Sequence, residues 1–512
     1  MDVTSITNSW FVVALVFIIT VAAKVARSRT LPGAKKTIKT APPSPPEAKG
    51  APLVGVLPAV LSRGLQAVIR EQHRELGSVF TLRSLGLAVT FLIGPESSDH
   101  FFHAAESEIA VDDVYKVTVP IFGRGVGYDV DLDTRNEQHR FFAKTLRPAK
   151  LRVHAHPMVH EVEEYFGKWG ECGVVDMKHE VDHLLMLIAS RCLLGKEVRE
   201  NMFDEVSSLL HELIGGLQLI SMFFPYLPTP AHRRRDRARA RLEEIFSQIA
   251  TARKSSGRVE EDMLQELMDS RYGDGRATTD AEVTGLLLAL LFAGQHTSST
   301  VTVWTALSLL THPEHLRVAV AEQERLVEEH LEHNHHGSGD GAVVDYGVLQ
   351  QMDFLHRCIK EAMRLHPVSQ MILRRARRGF TVRAKDGGEY SVPAGRMLAS
   401  PLVVNNLLPY VYKDPHIFNP DRFATGRMED NAGAVAGAGA GDLAYLAFGA
   451  GKHACMGEGY AYQQIKVILS HLLRNFELKL ESPFPEPENM LSMRPKGKVM
   501  VTYKRRKLFC NT

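Results

Sequence analysis

Ten consecutive residues, Phe448-Gly449-Ala450-Gly451-Lys452-His453-Ala454-Cys455-Met456-Gly457, carry the most specific chemistry in the chain. An apolar-periodic segment follows at once (Tyr460, Ile465, Ile468, Leu472, Phe476) and predicts a helix. Cys455 therefore stands at a helix N-terminus, where orphan backbone N–H groups and the positive end of the macrodipole favour a thiolate over a thiol. Glycines at 449, 451 and 457 let a flat ligand approach the backbone closely. A thiolate presented in this way can be the axial ligand of a haem iron, where it favours O–O cleavage. A cysteine taken alone has another reading, a buried structural residue in a Gly-rich loop.

Two other sets of residues could act with it. Glu361 and Arg364 lie three apart on a segment (355–365) that stops before Pro367, so they share one helical face. Alone they would be a surface ion pair, but Phe418-Asn419-Pro420-Asp421-Arg422-Phe423 and then the cysteine loop follow in order. Upstream, Thr279-Asp280 can cap a long helix from 281 to about 310. Its apolar length suits a membrane span, yet Gln295-His296-Thr297-Ser298-Ser299-Thr300 at its centre would be costly in lipid.

The elements that must position these residues are mostly helical. From 135 to 335 the periodicity is that of helices, while 65–105 mixes a helix (Leu65–Leu76) with strand-like runs at 79–82 and 89–93. A second strand-rich patch, 381–392, turns at Gly387-Gly388. The expectation is a mainly α fold with a minor β-sheet region, one catalytic domain over 53–512. Residues 1–29 read as an N-terminal membrane anchor with a basic flank. No charge falls within 3–23, and Lys24, Arg27 and Arg29 follow, which places the rest in the cytoplasm. A cleaved signal peptide is the rival reading, but the positive charge is on the wrong side for it. Residues 30–52, with Pro42, Pro43, Pro45 and Pro46, form a stiff hinge.

The 512-residue chain is 45% hydrophobic and can bury a large core. Its formal net charge of +2 implies no nucleic-acid partner. Five scattered cysteines argue for a reducing compartment and against a disulfide framework. The His- and Gly-rich 330–342 and the low-complexity 432–441 read as insertions. No glycine cluster sits in the strand-turn-helix context of a dinucleotide site, so electrons must come from a partner protein.

The 448–457 loop, with Glu361, Arg364 and Arg422 in the same order, resembles the haem-thiolate monooxygenases, the cytochrome P-450 superfamily. Ala293-Gly294-Gln295-His296-Thr297-Ser298 is similar to a signature of the sterol 14α-demethylases, and 115–129 (YKVTVPIFGRGVGYD) resembles their second signature. The likeness runs from about 75 to 508; the stretches 228–241 and 496–500 look most like plant and algal members.

This resemblance implies the P-450 fold and haem b (iron protoporphyrin IX) with Cys455 as axial iron ligand. Its propionates would be served by Tyr115, Tyr128, Arg140, Arg374 and His453. Glu361, Arg364 and Arg422 would form a buried ionic lock, which suits the planar fork of Arg. The long helix would cross the haem, with a break in its hydrogen-bond ladder near Ala293-Gly294. His296 and Thr297 would order water and pass protons. Val117, Phe122, Ala289, Phe292, Ala293 and Met371 would line an apolar sterol cavity. The implied activity is removal of a sterol 14α-methyl group in three successive oxidations, at the endoplasmic reticulum membrane. It would use molecular oxygen and NADPH through an NADPH-cytochrome reductase. A monooxygenase of another lipid and a non-catalytic haem- or sterol-binding protein are the alternatives. In many members of the family the counterpart of His296 pairs with an acid, but the matching position here is Ile214. Glu212 could substitute only if its helix turned it inward.

Overall fold

The computed structural model describes residues 42–52, 54–222, 224–334, 344–427, 429, 443–488 and 493–506. The expected anchor (1–29), the first part of the hinge, most of the insertion at 330–342 and all of that at 432–441 lie outside them. The described residues belong to two compact units, and the first takes 42–111, 371–413 and 443–444.

Seven strands run through this first unit: β1 (Val79–Ser84), β2 (Leu87–Leu92), β3 (Ile109–Ala110), β4 (Ile372–Ala376), β5 (Phe380–Arg383), β6 (Glu389–Val392) and β7 (Met397–Ser400). Five form a sheet in the order β1-β2-β7-β4-β3, in which only β2 and β7 run parallel. Cross-strand pairs hold the β1–β2 hairpin: Phe80 stacks on Phe91 at 5.4 Å, and the Thr81 and Thr90 hydroxyls meet at 2.9 Å. β5 and β6 make the hairpin expected at Gly387, whose φ of +84° suits glycine. Helix α1 (Leu65–Leu76) buries Val68, Ile69 and Gln72 on one stripe and has the bounds its periodicity predicts. The end of the expected hinge lies along β1. Thr81 N–H donates to Pro46 O at 2.8 Å, and Arg83 forks onto Glu47 at 2.7 Å.

Among the described residues the second unit takes those within 112–370, 414–429 and 445–506. Its helices include α3 (Pro148–Gly167), α4 (Met177–Ala189), α5 (Phe203–Gly215), α6 (Pro230–Ser256), α7 (Asp280–Thr311), α8 (Asp353–Leu365) and α9 (Glu458–Asn475); α2 (Pro95–His103) belongs to the first unit. A small antiparallel sheet joins Cys172–Asp176, Met500–Arg505 and Phe476–Leu480.

The 32-residue α7 is the hub, and α4, α6, α8 and α9 all pack against it. Thr279 starts it with a capping box. Glu282 N–H donates to Thr279 Oγ1 at 3.2 Å, and Thr279 N–H returns to Glu282 Oε2 at 2.8 Å. By length and hydropathy α7 could cross a membrane, but more than half of its most apolar stretch is packed inside the protein. Its apolar residues occupy every face because neighbours cover it on all sides over 282–288 and 298–309.

Candidate active site

The cysteine loop folds back on itself. Gly449 N–H donates to Leu446 O at 3.0 Å, Ala454 N–H to Gly451 O at 3.1 Å, and Cys455 N–H to Phe448 O at 2.8 Å. Gly449 (φ +72°) and Gly451 (φ +65°) take conformations that a side chain would strain. The result is a tight turn with Cys455 at its end, three residues before α9 begins. The Cys455 side chain is accessible yet recessed among enough protein to be desolvated. That desolvation lifts the thiol above its ordinary pKa, and Glu458 adds repulsion. A hydrogen bond from Gly457 N–H works the other way and is outweighed. Burial and the helix terminus thus act on this sulfur in opposite directions; a cation bound to it would settle the balance, since a coordinated thiol is deprotonated outright.

α7 supplies the second part. The helix is buried over 282–288 and 298–309, but the stretch 289–297, apart from Leu291, is only partly covered, and Ala293 is exposed. A core helix thus has an uncovered middle lined by Ala289, Phe292, Ala293 and Thr297. No atom outside the helix lies within 4 Å of a Cβ built on Gly294. α7 packs against α9, the helix that carries the cysteine loop, and Ser298 Oγ donates to Gln464 Oε1 of α9 at 3.2 Å. An accessible sulfur and an uncovered apolar helix face in one unit suit a flat apolar group with a metal at its centre. Haem b fits these residues.

The expected break in the α7 ladder is not seen: the helix is continuous, and Thr297 Oγ1 donates to Ala293 O at 2.6 Å. That carbonyl receives the hydroxyl beside its helical neighbourhood without the turn opening. Beside Thr297, the His296 Nδ1 lies 3.3 Å from Arg494 Nη1, and Arg494 Nη2 is 2.5 Å from Asp182 Oδ2. Sequence reasoning missed both residues. Glu212 is exposed and Ile214 half-buried on α5.

The structure brings Glu361, Arg364 and Arg422 together, all almost fully buried. Arg364 forks onto Glu361 at 2.7 and 2.8 Å, and Arg422 Nε reaches the same carboxylate at 3.0 Å. Asn419 N–H adds a bond at 2.9 Å, and Arg422 also holds Glu429 at 2.7 Å. Carbonyls of Pro415 and Ile417 take two more guanidinium donors of Arg364. Burial of these charges is tolerable because each has several partners.

The 115–129 segment forms short helical turns. Tyr115 and Tyr128 stack at 5.0 Å, and the Arg135 guanidinium lies 5.5 Å from the centre of the Tyr128 ring. Gln138 pins the segment, accepting from Gly127 N–H and donating to Gly125 O, both at 2.8 Å. Arg140 is not in this group: it is exposed and paired with Glu137 at 2.6 Å. Arg135, buried and adjacent to the tyrosines, is the cation that the sequence reading passed over; its place one turn before Gln138 on the same helix was the available signal. Phe122 meets Phe292 of α7 edge-on at 5.7 Å, and Val117 is half-buried. His453 is half-buried in the turn before Cys455. In the first unit, Arg374 is buried on β4 over the rings of Phe101 and Phe102 and donates to Phe101 O, and Met371 is half-buried just before that strand.

A family model described as Cytochrome P450 matches residues 43–503. The chain belongs to the cytochrome P450 family. Among relatives of this P450, the obtusifoliol 14-alpha demethylase of Sorghum bicolor is 50% identical over 496 residues, covering 97% of this chain and 96% of the relative. The sterol 14-demethylase of Arabidopsis thaliana is 50% identical over 466 residues, 91% of this chain and 92% of the other. This P450 is therefore a member of the plant-like sterol 14-demethylases. A solved structure, the retinoic acid bound cyanobacterial CYP120A1, matches with a TM-score of 0.76 at 21% identity, over 91% of this chain and all of that one, and bears out the fold. The family is one of haem-thiolate monooxygenases that use haem b, molecular oxygen and reducing equivalents delivered by a reductase.

Proposed function

We propose that this P450 removes the 14α-methyl group of a sterol precursor in three successive oxidations. The observation that carries the reading is the uncovered stretch of α7, where apolar Ala289, Phe292 and Ala293 adjoin Thr297 and His296. The names of the Sorghum and Arabidopsis relatives support it. Bound haem supplies the oxygen-activating chemistry that no side chain provides. Cys455 would hold its iron, and the Tyr115–Tyr128 pair, Arg374 and His453 would serve its acidic groups; Arg135 is better placed for that role than exposed Arg140. Phe122 and Phe292 exclude water and give a rigid hydrocarbon an apolar wall. Thr297 and His296 put the polar groups at one edge of that wall, where they can order water and hand over protons. Glu361, Arg364 and Arg422 fix the chain behind the cysteine loop.

Electrons would come from NADPH through an NADPH-cytochrome reductase. The basic-flanked apolar segment at the N-terminus would tether the enzyme to the endoplasmic reticulum membrane, with its catalytic body in the cytoplasm. The test is turnover of individual candidate sterols by the purified protein with a reductase, with products read by mass spectrometry. A 14-desmethyl product is expected; NADPH-dependent oxidation of fatty acids or terpenes but of no sterol would sink the reading.

A further inference from the structure

Three separate parts of the second unit meet beside His296. Asp182 comes from α4, His296 and Ser299 from α7, and Arg494 from the segment before the last strand. Asp182 uses both oxygens, accepting from Ser299 Oγ at 2.5 Å and from Arg494 Nη2 at 2.5 Å. This double anchor aims the other arm of the guanidinium, Nη1, at His296 Nδ1, 3.3 Å away. A guanidinium has five N–H donors and no acceptor, and it stays charged at any pH a protein survives. The imidazole nitrogen that faces it must therefore be the one without a hydrogen.

We infer that Arg494, anchored by Asp182 and Ser299, is a positioning residue that holds His296 as a neutral imidazole with its single proton on Nε2. The inference rests on the proposed function only for its catalytic consequence; the tautomer follows from the contacts. The surroundings agree with it. Burial, then the Arg494 charge, hold the His296 pKa below the ordinary histidine value. Asp182 and Glu488 oppose this, and Lys178 adds to it. An imidazole in this state donates a hydrogen bond from Nε2. It cannot take up a second proton at Nδ1 while the guanidinium is in place. His296 thus orders water as a fixed donor, and any proton that passes through the ring must wait for Arg494 to move.

The test uses the full-length, haem-loaded protein in its diamagnetic ferrous carbonyl form, with 15N-labelled histidine. His296→Asn identifies the His296 signal by its loss. Wild type should show a neutral Nε2–H imidazole at pH 7 that titrates below an ordinary histidine. Arg494→Met should move that midpoint up and let the two tautomers mix, whereas Asp182→Asn should move it down. Arg494→Lys should restore the midpoint in part. Opposite shifts from the two partners are what a merely structural role would not produce. An Nδ1–H tautomer, an imidazolium at pH 7, or an unmoved midpoint in both Arg494→Met and Arg494→Lys would overturn the inference. Product formed per NADPH, followed from pH 6 to 8, tests the catalytic consequence separately. It should be flat in wild type and pH-dependent in Arg494→Met. If the tautomer is as inferred and coupling never changes, it is the proton role of His296 that fails.

Discussion

At the scale of single residues, chemistry was legible wherever it lay within one short stretch. Phe448 to Gly457 announces a presented cysteine because glycine freedom and a following helix are both local properties. The partners of His296 were not legible, because Arg494 stands 198 positions away and nothing in its own neighbourhood points to a histidine. The desolvation of Cys455 was not legible for a related reason: a helix terminus can be read from sequence, whereas the surrounding protein that buries the sulfur cannot. Cys455→Ala should abolish the red-shifted carbon monoxide band of thiolate-ligated ferrous haem; a retained band would mean that Cys192, Cys358 or another cysteine is the ligand. Val117 bears on which sterol enters. In the resembled family its position tends to be Phe in plant enzymes, which prefer one methyl at C-4, and Leu in those that accept two. Val117 is smaller than either, so both monomethyl and dimethyl sterols should be accepted. Val117→Phe should shift the kcat/KM ratio towards the monomethyl substrate by about 10- to 200-fold, the effect of ~1–3 kcal/mol for a methyl-sized change. Competition between the two sterols measures that ratio, and an unchanged value would show that Val117 does not face C-4.

At the scale of elements, helix limits were read well where caps are local. Thr279 and Glu282 fix the start of α7, and α1 has the bounds its periodicity predicts. How the elements touch was not legible. Gly285 of α7 is an example: a Cβ there would run into the Phe122 carbonyl and lie 2.7 Å from Val126 Cγ2. From the other side, Arg239 of α6 donates to the same Phe122 carbonyl at 3.1 Å. The segment that bears Val117 and Phe122 is thus held between two helices at one backbone oxygen. Gly285→Ala should destabilise the protein by about 1–3 kcal/mol, the usual cost of overpacking. It should also weaken the sterol-induced spectral shift by displacing Phe122. Urea midpoints and sterol titrations would check this, and wild-type values in both would remove the clamp from consideration. The lock on α8 is a second case. Glu361→Gln leaves two buried arginines facing a neutral amide, and loss of one partner from such a cluster costs about 3–5 kcal/mol.

At the scale of the whole molecule, a mainly helical protein with a minor sheet could be predicted, since helical periodicity dominates 135–335. The pairing within the sheets could not, because strands distant in sequence share no local signal. Three histidines, His154 and His471 buried and His366 half-buried, set a property of the entire fold. His154 and His366 are lowered to about 4 and His471 to about 3, in each case chiefly by burial. Between their folded values and the ordinary value near 6.5, the unfolded chain binds protons that the folded one refuses. Stability is thus complete above about pH 6.5 and falls as the pH drops towards 4, by about 1.4 kcal/mol per pH unit for each histidine. Urea unfolding at pH 7.5 and 5.0 should show the loss, and His366→Phe, which can keep the stack on Trp304 (3.9 Å between rings), should lessen it. A slope unaffected by that change would assign the acid sensitivity elsewhere. The parallel pairing of β2 with β7 has a consequence for the newborn chain. The ribosome makes β1 and β2 first, yet the strand that covers the free edge of β2 begins only at Met397. Through most of synthesis that edge is exposed, able to pair with the wrong strand or with another nascent chain. Chains arrested at residue 370 should therefore be cut readily by protease around 79–92, and chains arrested well past 413, with the strand clear of the exit tunnel, should resist.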